Sequence, residues 1–135
     1  MNNISYRIVK SVPVEAIVSL YQDAEWWSEC EKSREIIPKM IQGSFCFMVA
    51  EHNNEIVGMG RLISDGVSDG YIQDVTVRKN FRKLGIGREL ILRLIQIAEE
   101  NGIEWLGLIA EPGTKPFYEN IGFKEMKNYV AMRKM

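Results

Sequence analysis

Only two cysteines, Cys30 and Cys46, occur among the 135 residues. They have neither the paired spacing of a metal site nor the density of a disulfide scaffold. No metal is therefore expected. Cys46 sits in the apolar run FCFMVA and reads as a core residue, whereas Cys30 lies in a charged stretch. Both are expected to be reduced thiols, which fits a cytoplasmic protein. The net charge is −1, so no global basic field argues for a nucleic-acid partner. No apolar run approaches the roughly 20 residues of a membrane span. The opening MNNISYRIVK carries no apolar stretch behind a basic region, so no signal peptide is expected. Repeats, low-complexity tracts and linkers are also missing, which leaves one domain over residues 1–135.

What is present is a dense succession of short elements. Ser5 to Val9 reads as a first strand. Pro13 suits the first turn of a helix carrying Val14, Ile17, Val18 and Tyr21 at helical spacing, with Ser11 as its expected cap. A second helix is expected from near Ser28 to Ile41, bent near Pro38. Phe45–Glu51 and Ile56–Ile63 form a hairpin around an Asn-containing turn. Tyr71–Val77 is another strand, and Gly85–Glu100 a strongly amphipathic helix ended by Asn101-Gly102. Trp105–Ala110 reads as a buried strand, 114–120 as a short helix, and Phe123–Met126 and Tyr129–Arg133 as two last strands. The class is α/β, without the regular alternation of a repeated βαβ unit.

The chemistry concentrates at VTVRKNFRKLGIGREL, Val75 to Leu90. A strand delivers the chain to a basic loop that opens a helix. Gly85 and Gly87 permit a close approach of the backbone that a Cβ would obstruct. The first turn of the helix offers N–H groups without intrahelical partners, at the positive end of the helix dipole. Arg78, Arg82, Lys83 and Arg88 surround it with charge. A pyrophosphate is the natural guest. A Rossmann dinucleotide loop would need a third glycine where Leu90 stands. A P-loop would need Gly-Lys-Ser/Thr where the chain has Gly87-Arg88-Glu89.

The segment RKLGIG, Arg82–Gly87, resembles the Arg/Gln-x-x-Gly-x-Gly/Ala signature of the GCN5-related N-acetyltransferases. KPFYENIGF, Lys115–Phe123, is similar to that family's Phe-Tyr-x-x-x-Gly-Phe segment. The resemblance implies a mixed, mostly antiparallel central sheet of about seven strands flanked by about four helices, the acyl-CoA N-acyltransferase fold. It implies acetyl-CoA as cosubstrate, with Arg82, Lys83, Leu84, Gly85, Ile86, Gly87 and Arg88 at the pyrophosphate and the main chain of Val75, Thr76 and Val77 beside the pantetheine. It also implies a V-shaped opening between the strands at Val75 and Leu108.

The same resemblance matches Tyr118 to a tyrosine that protonates the departing thiolate, a task suited to a phenol. The glutamate that some relatives carry early in the fourth strand is absent, and Asp74 is the nearest carboxylate. Strict alternation puts Asp74 on the face of Ile72 and Thr76, and a bulge would change that parity. Asp74 then serves as base, directly or through water, or holds a loop or the amine.

The region after the first helix often lines the family's acceptor site. Trp26, Trp27 and Glu29, with Glu111 from the loop before Tyr118, would suit a small cationic primary amine. The alternative is a Trp packed on the sheet beside solvated acids. The expected activity is N-acetyl transfer by direct attack of the amine on the thioester. A noncatalytic acyl-CoA sensor and a protein N-terminal or lysine acetyltransferase stay open as alternatives. The apolar tail YVAM would allow a homodimer.

Overall fold

The computed structural model describes residues 3–30 and 32–135. Glu31, an acid of the stretch after the first helix, lies outside the described residues. Five strands order sequentially in one sheet: β1 (Ile4–Ile8), β2 (Cys46–His52), β3 (Glu55–Ser64), β4 (Asp69–Val77) and β5 (Trp105–Gly107). The first three junctions are antiparallel and β4–β5 is parallel. The helices are α1 (Val14–Asp23), α2 (Ser33–Gly43), α3 (Ile86–Glu100) and α4 (Lys115–Glu119). The β2–β3 turn places Asn53 and Asn54 at φ 50° and 66°, the left-handed pair that matches hairpin twist.

Two apolar clusters sandwich the sheet. On one face Leu90, Ile91 and Leu94 of α3 pack with Cys46, Met48, Leu62, Ile72 and Val77. On the other, Ile17, Val18 and Leu20 of α1 and Ile37 and Ile41 of α2 pack with Phe47, Val49 and Met59. Adjacent residues of β2 thus feed opposite clusters, as the period of a strand requires. Burying each large aliphatic side chain contributes about 1.5–3 kcal/mol, and this holds β1–β4 and α1–α3 as one body.

Three expectations fail. Five strands form rather than about seven, because Phe123–Met126 and Tyr129–Arg133 adopt no strand pairing among the described residues. β5 covers only Trp105–Gly107 and offers little edge for a ladder, while Tyr129 and Val130 stay 75% and 77% exposed. The second helix starts at Ser33, not Ser28. The Ser33 hydroxyl accepts from Cys30 N–H (2.9 Å) and donates to the Ser28 carbonyl (2.8 Å), turning the chain before the helix opens. The helix then runs through Pro38. Ser11 does not cap α1: Pro13 holds that position, its carbonyl accepting from Ala16 N–H at 3.0 Å.

Candidate active site

Pairing between β4 and β5 lasts three residues, Asp69↔Trp105, Gly70↔Leu106 and Tyr71↔Gly107, and then stops. Beyond it the two chains part. A cleft of about 600 Å³ opens between Ile72–Val75 on one side and Leu108, Ile109 and Glu111 on the other. Tyr118, Tyr21, Trp26 and Arg133 complete its wall. The V-shaped opening expected at Val75 and Leu108 is where the sheet splays.

Past β4 the chain makes a short 3-10 turn, Lys79–Phe81, and enters α3 through Arg82–Gly85. Arg82 Nε donates to the Val77 carbonyl at 3.0 Å, tying loop to strand. Lys83 and Gly85 take φ of 65° and 83°, and Gly85 stands as the left-handed entry residue of α3 with no side-chain cap. Ile86 is buried and pins the helix start, whereas Leu84, Lys83 and Arg88 face solvent. The Gly85 carbonyl accepts from Glu89 N–H, so the N–H groups of Ile86, Gly87 and Arg88 precede the first helical donor. A Cβ on Gly87 would sit 3.6 Å from the Phe117 ring and 3.8 Å from Val77, ordinary contact distances. The protein itself therefore does not demand glycine at 87.

Among the described residues, Arg82, Lys83 and Arg88 have no acidic partner within ion-pair distance. Open N–H donors, unpaired cations and an uncluttered backbone fit a pyrophosphate. Arg78 belongs elsewhere: its Nε reaches the Ile56 carbonyl (3.2 Å) and Glu55 (3.4 Å). Thr76 and Val77 are buried, so only their main chain is available to a ligand.

Tyr118 projects from α4 with its ring edge-on to Phe117 (5.0 Å) and Phe123 (5.9 Å). Its hydroxyl has no hydrogen-bond partner among the described residues and lies at the cleft. Burial, with Glu111 nearby, pushes this phenol above the usual tyrosine range. It stays protonated at neutral pH, as a proton donor requires. Thr114 precedes α4 as expected, but its hydroxyl donates back to the Glu111 carbonyl (2.7 Å) rather than capping the helix.

Asp74 departs from strict alternation. Met59 pairs with Thr76 and Arg61 with Gln73, so Gly60 alone faces both Asp74 and Val75. Asp74 takes φ 60°. The extra residue turns its side chain toward α1, away from the α3 cluster that holds Ile72. There Asp74 Oδ2 accepts from Tyr21 hydroxyl at 3.0 Å and from Arg61 Nε at 2.9 Å.

The four expected acceptor residues divide. Trp26 and Glu111 line the cleft. Trp27 packs on the α1–α2 cluster and stacks at 6.1 Å on Tyr21. Glu29 accepts from Trp27 Nε1 (3.0 Å) and pairs with Arg34, which holds its carboxyl below the usual range. Trp27 and Glu29 are therefore not brought to the cleft, and the packed-Trp alternative holds for Trp27. Sequence reasoning missed Tyr21, Tyr71, Arg61 and Arg133. Tyr21 carries the apolar stripe signal of α1, and nothing in the local pattern distinguishes its hydroxyl. Arg133 lies 59 positions beyond Asp74 and reaches the site only through the path of the tail.

A mixed sheet splayed at a parallel junction, with a basic glycine loop opening a helix beside the gap, defines the acyl-CoA N-acyltransferase fold. The chain belongs to the acetyltransferase (GNAT) domain family, whose model matches residues 14–134. An uncharacterized N-acetyltransferase of Pyropia yezoensis is 34% identical over 92 residues, 68% of this chain and 49% of the relative. A GCN5-related N-acetyltransferase of Arabidopsis thaliana is 33% identical over 88 residues, 62% of this chain and 45% of the relative. The chain thus spans about half the length of these relatives. A GNAT family acetyltransferase structure from Streptococcus pneumoniae superposes with a TM-score of 0.82 at 25% identity, covering 98% of this chain and 97% of that one.

Proposed function

We propose that the protein transfers an acetyl group from acetyl-CoA to a primary amine by direct attack on the thioester. The observation that carries this reading is the unpartnered Tyr118 hydroxyl on the wall of a cleft that opens where β4 and β5 part. The Arg82–Arg88 loop binds the pyrophosphate at one end, and the thioester lies beside the Val75 main chain. The amine nitrogen attacks the acetyl carbonyl and a tetrahedral oxyanion forms. A backbone N–H at the bulge stabilises that charge. The C–S bond then breaks as Tyr118 gives its proton to the sulfur. The acceptor nitrogen loses its own proton to water or to a carboxylate of the cleft.

The acceptor is a small molecule, in keeping with the size of the cleft. Glu111 and Trp26 draw its ammonium group by charge and by the ring face. With Glu29 engaged by Arg34, a general preference for cations rests on these two residues, and Arg133 opposes it at the rim. A cytoplasmic, reducing setting belongs to the same proposal. Thiol release from acetyl-CoA across a panel of primary amines tests it. Amine-dependent release, with the N-acetyl product identified by mass, is the expected result. Acetyl-CoA binding without release for any amine would favour the sensor alternative, and a protein substrate acetylated in preference to every small amine would favour the other.

A further inference from the structure

The backbone of β4 is held out of strand geometry at the place where the cleft begins. Asp74 adopts φ 60°, a conformation that costs an ordinary L-residue roughly 1–2 kcal/mol and that Asp and Asn tolerate best. Gly60 stands opposite the bulge, where added bulk would press on its neighbours. A Cβ there would lie 3.2 Å from both the Val75 and the Leu94 side chains. A strained residue persists when its surroundings over-determine it, and here they do.

The Asp74 carboxylate and the Arg61 guanidinium are paired at 2.9 Å with side chains only 16% and 15% exposed. The Tyr21 hydroxyl has one proton and gives it to the same oxygen, Oδ2, at 3.0 Å. The Met40 sulfur, 3.2 Å from that hydroxyl, lies alongside. Arg61 extends further, to the Ser44 hydroxyl at 3.5 Å, and Ser44 in turn donates to the Met40 carbonyl at the end of α2 at 2.7 Å. One carboxylate thereby links α1, α2 and β3 to the bulge. Both donors converge on Oδ2, and no hydrogen bond to Oδ1 is found among the described residues, so the carboxylate is anchored through one oxygen.

Resting on the acetyl-transfer reading above, we infer that Asp74 is a positioning residue, and that Tyr21 and Arg61 act through it. The brace fixes the bulge so that the Val75 main chain meets the thioester in one geometry. The Tyr21 ring also lies 6.2 Å from that of Trp26, so the same residue supports the aromatic wall of the cleft. Breaking the brace from either side loosens the reacting geometry, while the pyrophosphate loop, tied to Val77 through Arg82, keeps its affinity.

The test uses Tyr21→Phe, Arg61→Gln, Arg61→Lys and Asp74→Asn. Tyr21→Phe and Arg61→Gln are expected to lower kcat by as much as about 10²-fold, the scale set by displacing reacting groups, with KM for acetyl-CoA little changed. Arg61→Lys restores part of the loss. Asp74→Asn loses kcat through the uncompensated Arg61 charge but keeps the acidic limb of the pH profile, because Asn accepts the same donors and tolerates the same φ. Loss of that acidic limb in Asp74→Asn, with wild-type kcat in Tyr21→Phe, makes Asp74 the base and overturns the inference. Amide exchange at Val75 and Thr76 gives a readout independent of turnover. It should quicken in Tyr21→Phe and Arg61→Gln, and unchanged exchange in both also overturns the brace. If the wild type acetylates no amine, the functional reading fails while this exchange experiment still decides the structural one.

Discussion

The cleft has two ends that are built in different ways. At the coenzyme end, the strand main chain, the basic side chains and the open helix donors all fall within residues 75–88. At the acceptor end, Tyr21 comes from α1, Trp26 from the turn after it, Asp74 from β4, Glu111 from the loop before α4 and Arg133 from the tail. The first offers uncapped helix donors and exposed cations from one short segment. The second works through single side chains whose orientation depends on partners far away in the chain. Affinity for the cofactor and choice of acceptor should therefore be separable by mutation.

The largest effect expected is on neither end but between them. Tyr118→Phe keeps the ring packing against Phe117 and Phe123 and removes the proton. Turnover should fall by about 10²–10⁴-fold, with acetyl-CoA affinity unchanged by calorimetry. Wild-type turnover in that variant would make Tyr118 a packing residue. Next comes Gly87→Ala, which adds a methyl where the protein itself offers ordinary contact distances. Acetyl-CoA affinity should drop by more than tenfold (about 1.4 kcal/mol) with the melting temperature nearly kept. Retained affinity would remove the pyrophosphate assignment.

Smaller is the split between two glutamates. Glu111→Gln should raise KM for the amine severalfold and leave that for acetyl-CoA alone. Glu29→Gln should change neither, because Arg34 and not the cleft holds Glu29. Equal effects from both would mean that the two ends are not divided as described. The smallest effect concerns pH. Tyr21 and Tyr118 both have phenols raised above their ordinary value, chiefly by burial. Unfolded tyrosines ionise near pH 10, so the stability contributed by keeping these two neutral is intact below that pH. It is lost as pH rises through their folded values. Chemical denaturation at pH 9 and 11 should show a shallower fall in Tyr21→Phe than in wild type.

The same contrast explains what could be read from the residues alone. The Gly85/Gly87 loop, the α3 stripe and the Phe117-Tyr118 segment are local patterns, and each lies where its period and composition put it. The two last strands failed because strand formation needs a partner edge, and the length of β5 is decided by packing, not by the alternation of Phe123–Met126. The orientation of Asp74 needed the bulge opposite Gly60 of β3 and the partner Arg61. Trp27 and Glu29 had suitable chemistry, but Arg34, seven and five positions on, drew them to the α2 side. Arg133 needed the path of a tail without regular structure.

The shortness of the β4–β5 junction has a kinetic consequence. Three paired positions fasten β5 to a sheet whose other junctions run five residues or more. Opening fluctuations begin where the fewest hydrogen bonds must break. β5 and α4 are therefore held to the sheet mainly by side chains, with Leu106, Tyr118, Ile121 and Phe123 packed on the α3-side cluster. Amides of this segment should exchange sooner than those of β1–β4, whose ladders are longer.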